Sequence, residues 1–591
     1  MNNSATHLAI SGIAALLLVA AQQRCFPASA TWSVAPLSDD WSAAQNWVPQ
    51  TVPNTDTDTA TFEQSTITNV TLSAFINVSA LKFPPDSDAF TITSEPATVL
   101  SLFGTGVENS SGRIQTFTCV RNGGFGGGFY FFQGAAAGTN TVFATAGNLV
   151  SFNDFSNAAQ ATFLVTNDPG VSGGDVLFFD DSSAAEATFI VSTAGNVDFL
   201  DRATAANAVF TVTGGMYGAG DAAFGTNATA GNAVINCSAG GEVVFTEVAT
   251  ADHARITVAG AASTTESQSH IDFIGGSTAA NSRITLNGGS AVGTAGAIMN
   301  LFDESTAGAA QITLNGGTNG GNGASVVFYS KSNGGTATFK VFDNGQIDIS
   351  KNTLPTIGIG SLEGSGQVFL GARTLTIGSN NHNTLFSGVL QDGGLSGKTG
   401  GKLVKTGSGM LTLSGANTYS GGTTVNAGRL TIANTTGSGS GAGAVQVNAG
   451  NLTGSGMIAG ATTIGSGSGS GALLAPGVGA KNPATLTLLS SLTFNADGSL
   501  QERLLTQQAQ TDSVVANGIT INSGAQFTLQ AIGRKRLTSG LVFMLINNTS
   551  PDPISGTFAN LADGSILNVG RNQLKVSYEG GDGNDLTLTV Q

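Results

Sequence analysis

The amino-acid sequence predicts an all-β protein that folds as a right-handed parallel β-helix, a solenoid with β caps at its N- and C-terminal ends. Three observations predict this fold. A sixteen-residue pattern recurs eight times between Val150 and Val341 without an internal insertion. The composition combines 83 Gly and 33 Phe with only 10% charged residues. No segment after the N-terminus shows the apolar period of 3.6 residues that indicates an amphipathic helix.

Each copy of the pattern is built around one large apolar anchor residue. An apolar or small residue precedes the anchor by two positions, a small residue follows it by nine, and apolar residues follow by eleven and thirteen. Because successive side chains of a strand point to opposite faces, apolar residues two apart indicate two short strands in each copy. The anchors are Phe152, Phe178, Phe199, Phe224, Phe245, Phe273, Leu301 and Phe328.

Successive anchors are 21 to 28 residues apart, so a fixed module alternates with spacers of variable length. This is typical of a stacked solenoid, in which each coil is too thin to bury its own apolar residues. Coils stacked about 4.8 Å apart would place each anchor directly over the next. We therefore expect the anchors to lie in register, with Phe210 buried between Phe189 and Ile235.

The first thirty residues are predicted to be a signal peptide that targets the chain for export. Leu8 to Ala21 form a mostly apolar segment, and Ala28-Ser29-Ala30 is a small-x-small cleavage site before Thr31. The apolar segment is shorter than the ~20 residues that a membrane-spanning helix needs. We expect no transmembrane segment in the mature chain and an extracellular, cell-surface or periplasmic location.

The mature chain is acidic and has few cysteines. The first thirty residues hold one of the 22 basic side chains and none of the 37 acidic ones, so the net charge after cleavage is −16. An acidic surface disfavours nucleic acid and anionic membranes as partners. Only Cys119 and Cys237 remain, which excludes a disulfide framework. Cys237 occupies an inward position of the repeat, where we expect a buried hydrophobic side chain.

One stretch carries the spacing of a known family of repeats. Residues 401–430 read GKLVKTGSGMLTLSGANTYSGGTTVNAGRL. They resemble the autotransporter-associated β-strand repeat, whose pattern is roughly K-x-G-x-G-x-L-x-L-x-G-x-N-x-Y-x-G-x-T-x-V-x-x-G-x-L. Ala475-Pro476-Gly477 is similar to the A-P-G turn of that family, and the segment from Trp41 to Phe62 is similar to the leader of such secreted proteins. The resemblance implies an exported bacterial passenger region of parallel β-helix form.

In that family a translocator barrel in the outer membrane often follows the repeats. Only about a hundred residues follow Thr485, which is too few for the many amphipathic strands of such a barrel. We therefore expect export to end in the periplasm or to rely on other machinery.

Composition divides the chain into five predicted regions. All three Trp and six of the 13 Pro lie between the cleavage site and Pro96, which indicates an atypical end coil. The regions are a signal peptide at 1–30, an N-terminal β cap at 31–120, Phe-anchored solenoid repeats at 121–350, the autotransporter-associated repeat region at 351–485 and a C-terminal β cap at 486–591.

An acidic residue recurs two positions after five of the anchors. Carboxylates on successive coils would lie close enough to raise one another's pKa or to hold Ca²⁺. Asp also favours turns because its side chain binds nearby backbone groups, and this position is where the strand ends. We therefore favour a structural role in the turn and predict no cofactor. If Ca²⁺ does bind, the candidate ligands are the five recurring acids: Asp154, Asp180, Asp201, Glu247 and Asp303.

The sequence predicts a secreted or cell-surface structural or adhesive protein with no catalytic residues, whose binding residues the sequence does not reveal. Surface glycans or other cell-surface proteins are the expected partners. The alternative is a polysaccharide-acting β-helix lyase or hydrolase that uses the recurring acids. That alternative needs an exposed cleft in which at least two acids meet a basic or His partner. His253, His270 and His382 are isolated in the sequence, without ligand or nucleophile spacing.

Overall fold

Short strands from successive turns of the chain pair in parallel along most of the protein and form a β-solenoid. The computed structural model describes residues 29–120, 127–166, 174–215, 218–469, 471–477 and 479–591. Helical structure in those residues is limited to two 3-10 turns, Ala44–Asn46 and Gly394–Ser396. The predicted all-β parallel solenoid is confirmed. Residues 1–28 of the predicted signal peptide lie outside the described residues.

The strands are numbered here in chain order. The first ten are β1 (Ala30–Trp32), β2 (Trp47–Val48), β3 (Thr59–Thr61), β4 (Asn69–Leu72), β5 (Ile76–Phe83), β6 (Thr91–Ser94), β7 (Val99–Asn109), β8 (Gln115–Cys119), β9 (Gly128–Phe131) and β10 (Thr141–Ala144). The Phe-anchored copies contain β11 (Leu149–Phe152), β12 (Thr162–Val165), β13 (Gly174–Phe178), β14 (Thr188–Val191), β15 (Gly195–Phe199), β16 (Val209–Thr213), β17 (Asp221–Phe224), β18 (Val234–Ser238), β19 (Glu242–Phe245), β20 (Arg255–Val258), β21 (His270–Phe273), β22 (Arg283–Leu286), β23 (Ile298–Leu301), β24 (Gln311–Leu314), β25 (Ser325–Phe328) and β26 (Thr338–Val341).

The strands continue to the C-terminus with shorter coils and a set of longer final strands. They are β27 (Gln346–Asp348), β28 (Thr356–Ile359), β29 (Ser361–Gly364), β30 (Gln367–Phe369), β31 (Thr374–Ile377), β32 (Thr384–Phe386), β33 (Val389–Gln391), β34 (Lys402–Lys405), β35 (Met410–Leu413), β36 (Thr423–Val425), β37 (Arg429–Ile432), β38 (Val445–Val447), β39 (Gly450–Gly454), β40 (Met457–Ile458), β41 (Thr462–Ile464), β42 (Ala472–Ala475), β43 (Thr485–Leu488), β44 (Leu492–Phe494), β45 (Gly498–Leu505), β46 (Gln510–Thr511), β47 (Ser513–Ala516), β48 (Ile519–Ile521), β49 (Gln526–Ile532), β50 (Val542–Asn548), β51 (Ile566–Val569), β52 (Asn572–Gly580) and β53 (Asp585–Val590).

The anchors stack in register, as the sixteen-residue spacing predicts. The first sheet of the Phe-anchored copies consists of the odd-numbered strands from β11 to β25. In it Phe152 is aligned with Phe178, and the alignment continues anchor by anchor to Phe328. From Phe152 to Phe273 the stacked rings have centroids 4.5 to 4.9 Å apart. The anchors are fully buried. They form one continuous ladder inside the solenoid.

A second sheet of the same coils, from β12 to β26 in even-numbered strands, carries the residues at plus eleven and plus thirteen. Phe210 is aligned with Phe189 on one side and Ile235 on the other, as predicted. The rings of Phe189 and Phe210 stack with centroids 4.7 Å apart. Cys237, at plus thirteen, is buried and not in a disulfide, which confirms the prediction for this residue.

Two corners of each coil use a left-handed backbone, and this explains the invariant spacing. The residue at plus two has φ between +48° and +73° in all eight copies, from Asp154 to Ser330. The residue at plus seven, from Ala159 to Gly335, has φ between +47° and +59°. A Ser, Thr or Asn side chain at plus five accepts a hydrogen bond of 2.8 to 3.1 Å from the backbone N–H at plus seven. These turns fix the number of residues between the two sheets.

The N-terminal end of the stack is filled with aromatic side chains. Trp32, Trp41 and Trp47 are buried, with Trp47 in edge contact with the other two at centroid distances of 4.9 and 5.1 Å. The indole N–H of Trp47 donates to Trp41 O at 2.7 Å, and that of Trp41 donates to Pro53 O at 3.1 Å. Strands β1 and β2 pair antiparallel, whereas β3 already pairs in parallel with β5. Parallel stacking therefore begins well before residue 120.

The C-terminal part adds a third sheet and ends in antiparallel strands. From Thr356 onward a third strand of each coil, beginning with β28, pairs in parallel up to β48. The last strands, β50 to β53, pair antiparallel with one another. The Arg503 guanidinium binds both carboxylate oxygens of the fully buried Asp512, at 2.7 and 2.8 Å. This pair packs against Gly477 of the A-P-G turn, where a Cβ would collide with the Asp512 carboxylate.

Candidate functional site

The recurring acids at plus two serve the corner turns. Each of these residues has the left-handed backbone of its corner, and four of the five carboxylates bind the backbone of the preceding coil. The Oδ2 atom of Asp154 accepts a hydrogen bond of 2.9 Å from the Gln133 N–H. The same bond joins Asp180 to the Asp154 N–H at 3.2 Å, and Asp201 and Asp303 repeat it. These contacts agree with a structural role of the five recurring acids in the corner turns.

A different set of acids lies on the outer face of the first sheet. The residues one and three positions before an anchor point away from the core, because the anchor itself points inward. In register at minus three lie Asp175, Asn196, Asp221, Glu242 and His270. We call the following residues the acidic face: Asp175, Asn196, Asp198, Asp221, Glu242, His270, Asp272 and Asn300.

Crowding and partial burial raise the pKa of three carboxyl groups in the acidic face, those of Asp198, Asp221 and Asp272. Burial, followed by the charge of Asp175, raises the pKa of Asp198 to about 7. Burial, followed by the charges of Asp198 and Glu242, raises the pKa of Asp221 well above its usual value. The Oδ1 atom of Asp221 is shielded from solvent and has no hydrogen-bond partner. Asp198 therefore changes its charge near neutral pH.

His270 lies beside two of these carboxyl groups, those of Glu242 and Asp272. Its Nε2 atom is 3.0 Å from Glu242 Oε1 on the neighbouring strand, and Asp272 follows two residues later on the same face. The ligand atoms of Glu242, His270 and Asp272 all lie within 4.8 Å of one another. The hydrogen bond to Glu242 raises the pKa of His270 to about 9. At neutral pH the imidazole is therefore a cation that compensates part of the negative charge.

Neighbouring polar groups hold this trio in place. The Asn300 Nδ2 atom donates to Asp272 Oδ1 at 2.9 Å. The contact of 3.0 Å between His270 Nε2 and Glu242 Oε1 orients the His270 ring. The side chains of His270 and Glu242 are 28% and 31% exposed, so the trio is open to solvent on one side. The arrangement is a fixed group of one imidazole and two carboxylates.

Aromatic side chains lie one position after an anchor, or after Leu102 and Phe131, which precede the anchors in the same register. The rings of Phe103 and Phe132 stack with centroids 5.0 Å apart, and those of Phe302 and Tyr329 with centroids 4.8 Å apart. All four side chains are half-buried. The pair Phe302–Tyr329 therefore offers a flat apolar surface that begins one coil from Asp272.

Sequence reasoning missed this site because it treated His270 as isolated. Its partner Glu242 is 28 residues upstream, one full coil away, and the two meet only when the coils stack. The outward positions of the sixteen-residue pattern contain the necessary signal, since His270 and Glu242 both stand three positions before an anchor. Acids with a His partner, one part of what the polysaccharide-acting alternative needs, are therefore present.

The repeat region contains a tightly packed coil. Tyr419 is fully buried and its hydroxyl lies 2.5 Å from Thr423 Oγ1. Gly441 of the next coil contacts the Tyr419 ring, where a Cβ would clash. The buried Lys405 ammonium donates to Gly407 O at 3.1 Å. These contacts give a structural role to the Lys, Gly and Tyr positions of the repeat pattern.

The class of protein that these features define is a parallel β-solenoid, and the comparisons identify one of its repeats. Residues 403–432 match the family model of the passenger-associated-transport-repeat, which confirms the resemblance to autotransporter passenger repeats. No curated protein matches the chain in sequence. Among the described residues, no helix is long and apolar enough to cross a bilayer.

One solved structure similar to this chain is the Haemophilus influenzae Hap adhesin. It is 9% identical, with a TM-score of 0.26, and the match covers 91% of this chain. The chain spans 64% of the length of that adhesin chain.

Proposed function

We propose that this protein is an exported passenger-type β-solenoid with a structural or adhesive role at the cell surface. The observation that carries the proposal is the passenger-associated-transport-repeat at residues 403–432, which forms coils of the same continuous parallel stack. Passenger repeats accompany exported chains, and a rigid stack projects a long lateral surface. Residues 1–30 supply the export signal in this proposal.

Hydroxyl-rich glycans are the partners that the outer face of the first sheet suits best. The half-buried pairs Phe103–Phe132 and Phe302–Tyr329 offer flat apolar surfaces for sugar rings. The carboxylates of the acidic face accept hydrogen bonds from sugar hydroxyl groups. Ligand sites commonly combine an aromatic surface with a small number of polar groups.

Two measurements test this proposal. Protease treatment of intact cells should degrade the protein without permeabilising the outer membrane, and full protection in intact cells would contradict the surface location. The purified chain should bind cell-surface glycans on an array, and Tyr329→Ala should weaken that binding at least fivefold. Phe155→Ala, which removes an aromatic ring that is 70% exposed at a corner, is the matched control and should leave binding unchanged.

The acidic face favours a second candidate function, the cleavage of an acidic or neutral polysaccharide. A carboxyl group that is still partly protonated near pH 7, as Asp198 is, suits a general acid, and ionised carboxylates nearby suit a base or nucleophile. Turnover of pectin, alginate or xylan that Asp198→Asn abolishes and Asp303→Asn leaves intact would support an enzyme. Equal turnover by wild type and both variants would point to a contaminant, and no turnover would favour the structural role.

A further inference from the structure

We propose that Glu242, His270 and Asp272 bind one divalent first-row transition-metal ion on the outer face of the first sheet. Their ligand atoms all lie within 4.8 Å of one another, close enough to converge on one ion after small side-chain movements. The backbone supports this geometry directly. His270 is the register partner of Glu242 in parallel strands, and Asp272 lies two residues along the same strand face.

Asp221 provides an independent observation that points to a cation. It is the register partner of Glu242 on the side away from His270, so three potential ligands form one row across three strands. Its Oδ1 atom is shielded from solvent and lacks a hydrogen-bond partner. A carboxyl oxygen that is shielded from solvent and has no partner is costly, and the positive charge of a metal ion on the neighbouring Glu242 would offset part of that cost.

The surrounding groups position the ligands as metal sites generally require. Carboxylates that bind a metal are commonly held in place by hydrogen bonds from neighbouring groups. Asn300 Nδ2 donates to Asp272 Oδ1 at 2.9 Å in this way. The partial exposure of Glu242 and His270 leaves room for water or a substrate oxygen on the open side.

The donor set decides the class of ion. Neutral imidazole nitrogen with carboxylate oxygens suits Zn²⁺, Co²⁺ and their first-row neighbours, so the ion would displace the proton that His270 carries at neutral pH. Ca²⁺ takes six to eight oxygen ligands and gains little from a histidine. The predicted Ca²⁺ candidates at the corners, such as Asp180, are therefore a separate set from this site.

Calorimetric titration of the metal-depleted full chain with Zn²⁺ tests the inference. We expect one equivalent bound per chain, with His270→Gln and Asp272→Asn each weakening binding at least tenfold. Asn300→Ala should weaken it about tenfold through loss of ligand positioning. The matched control is His253→Gln, which removes a histidine 2.6 Å from Asp252 on the surface and should leave the affinity unchanged.

Titration with Co²⁺ in place of Zn²⁺ gives a second readout, because bound Co²⁺ has a visible absorption band. His270→Gln should remove this band, whereas an excess of Ca²⁺ should leave it unchanged. Circular dichroism checks that each variant keeps its β structure, and Asp272→Asn decides the matter if His270→Gln does not fold. No Zn²⁺ binding by the wild-type chain would overturn the inference. Binding that survives Asp272→Asn, or that His253→Gln removes, would overturn it as well.

Discussion

Truncation of one ladder residue, Phe210→Ala, should destabilise the middle of the solenoid by about 4 kcal/mol. Phe210 is fully buried, so the change leaves a cavity, and buried Phe→Ala changes generally cost about 3–5 kcal/mol. The ring also stacks on Phe189 at 4.7 Å and meets Phe199 edge-on at 6.1 Å. Aromatic pairs add about 0.5–1.5 kcal/mol beyond the burial of area, which places this site in the upper half of that range.

Hydrogen exchange and urea denaturation together measure this effect. A solenoid is held by interactions between neighbouring coils, so the loss should be greatest in the strands next to β16. Exchange protection should fall in β14 and β18 and stay near the wild-type level in β1 and β53. The control Phe155→Ala, at a side chain that is 70% exposed, should change the free energy of unfolding by less than about 0.5 kcal/mol. A Phe210→Ala effect as small as that of the control would refute the inward ladder.

Three further predictions concern other buried groups. Arg503→Met leaves the buried Asp512 carboxylate without its positive partner and should lower the free energy of unfolding by about 3–5 kcal/mol. Urea denaturation measures this loss, and a change below about 1 kcal/mol would contradict the buried ion pair. Gly477→Ala should destabilise the same region, because the new Cβ collides with Asp512; a wild-type melting temperature would be inconsistent with this packing. The pKa of Asp198 is raised to about 7 in the folded chain, so this group keeps its proton to a higher pH there than in the unfolded chain. Its contribution to the free energy of unfolding is therefore complete below pH about 4 and is lost as the pH rises through about 7. Asp198→Asn should flatten the fall in stability over that interval, and an unchanged pH profile would exclude this group as its source.

The core of this fold can be predicted from sequence because burial restricts the inward positions. Each anchor touches the anchors of the two adjacent coils, so only large apolar residues fit, and the restriction recurs with every coil. The corner turns are also visible, since Asp154 and its equivalents stand at the end of a strand where a left-handed residue is needed.

The outer site could not be predicted in the same way. Outward side chains meet solvent, so the residue type at one position of the period changes from coil to coil, as from Glu242 to His270. Their proximity depends on register across strands 21 to 28 residues apart. The spacing of the anchors predicts such a site only when the residues at the same outward position of successive coils are compared with one another.

Disulfide trapping between adjacent coils tests the in-register stack most directly. Leu164 and Ile190 are register partners on the second sheet and are 36% and 42% exposed. Cysteines at these two positions should form a disulfide under mild oxidation, because neighbouring strands lie about 4.8 Å apart. Cysteines at Leu164 and Thr211, two strands apart in the same row, should remain reduced. Cys119 and Cys237 are buried and should not compete. A disulfide between positions 164 and 190 alone is the predicted result, and trapping of 164 with 211, or of neither pair, would contradict the stacked solenoid.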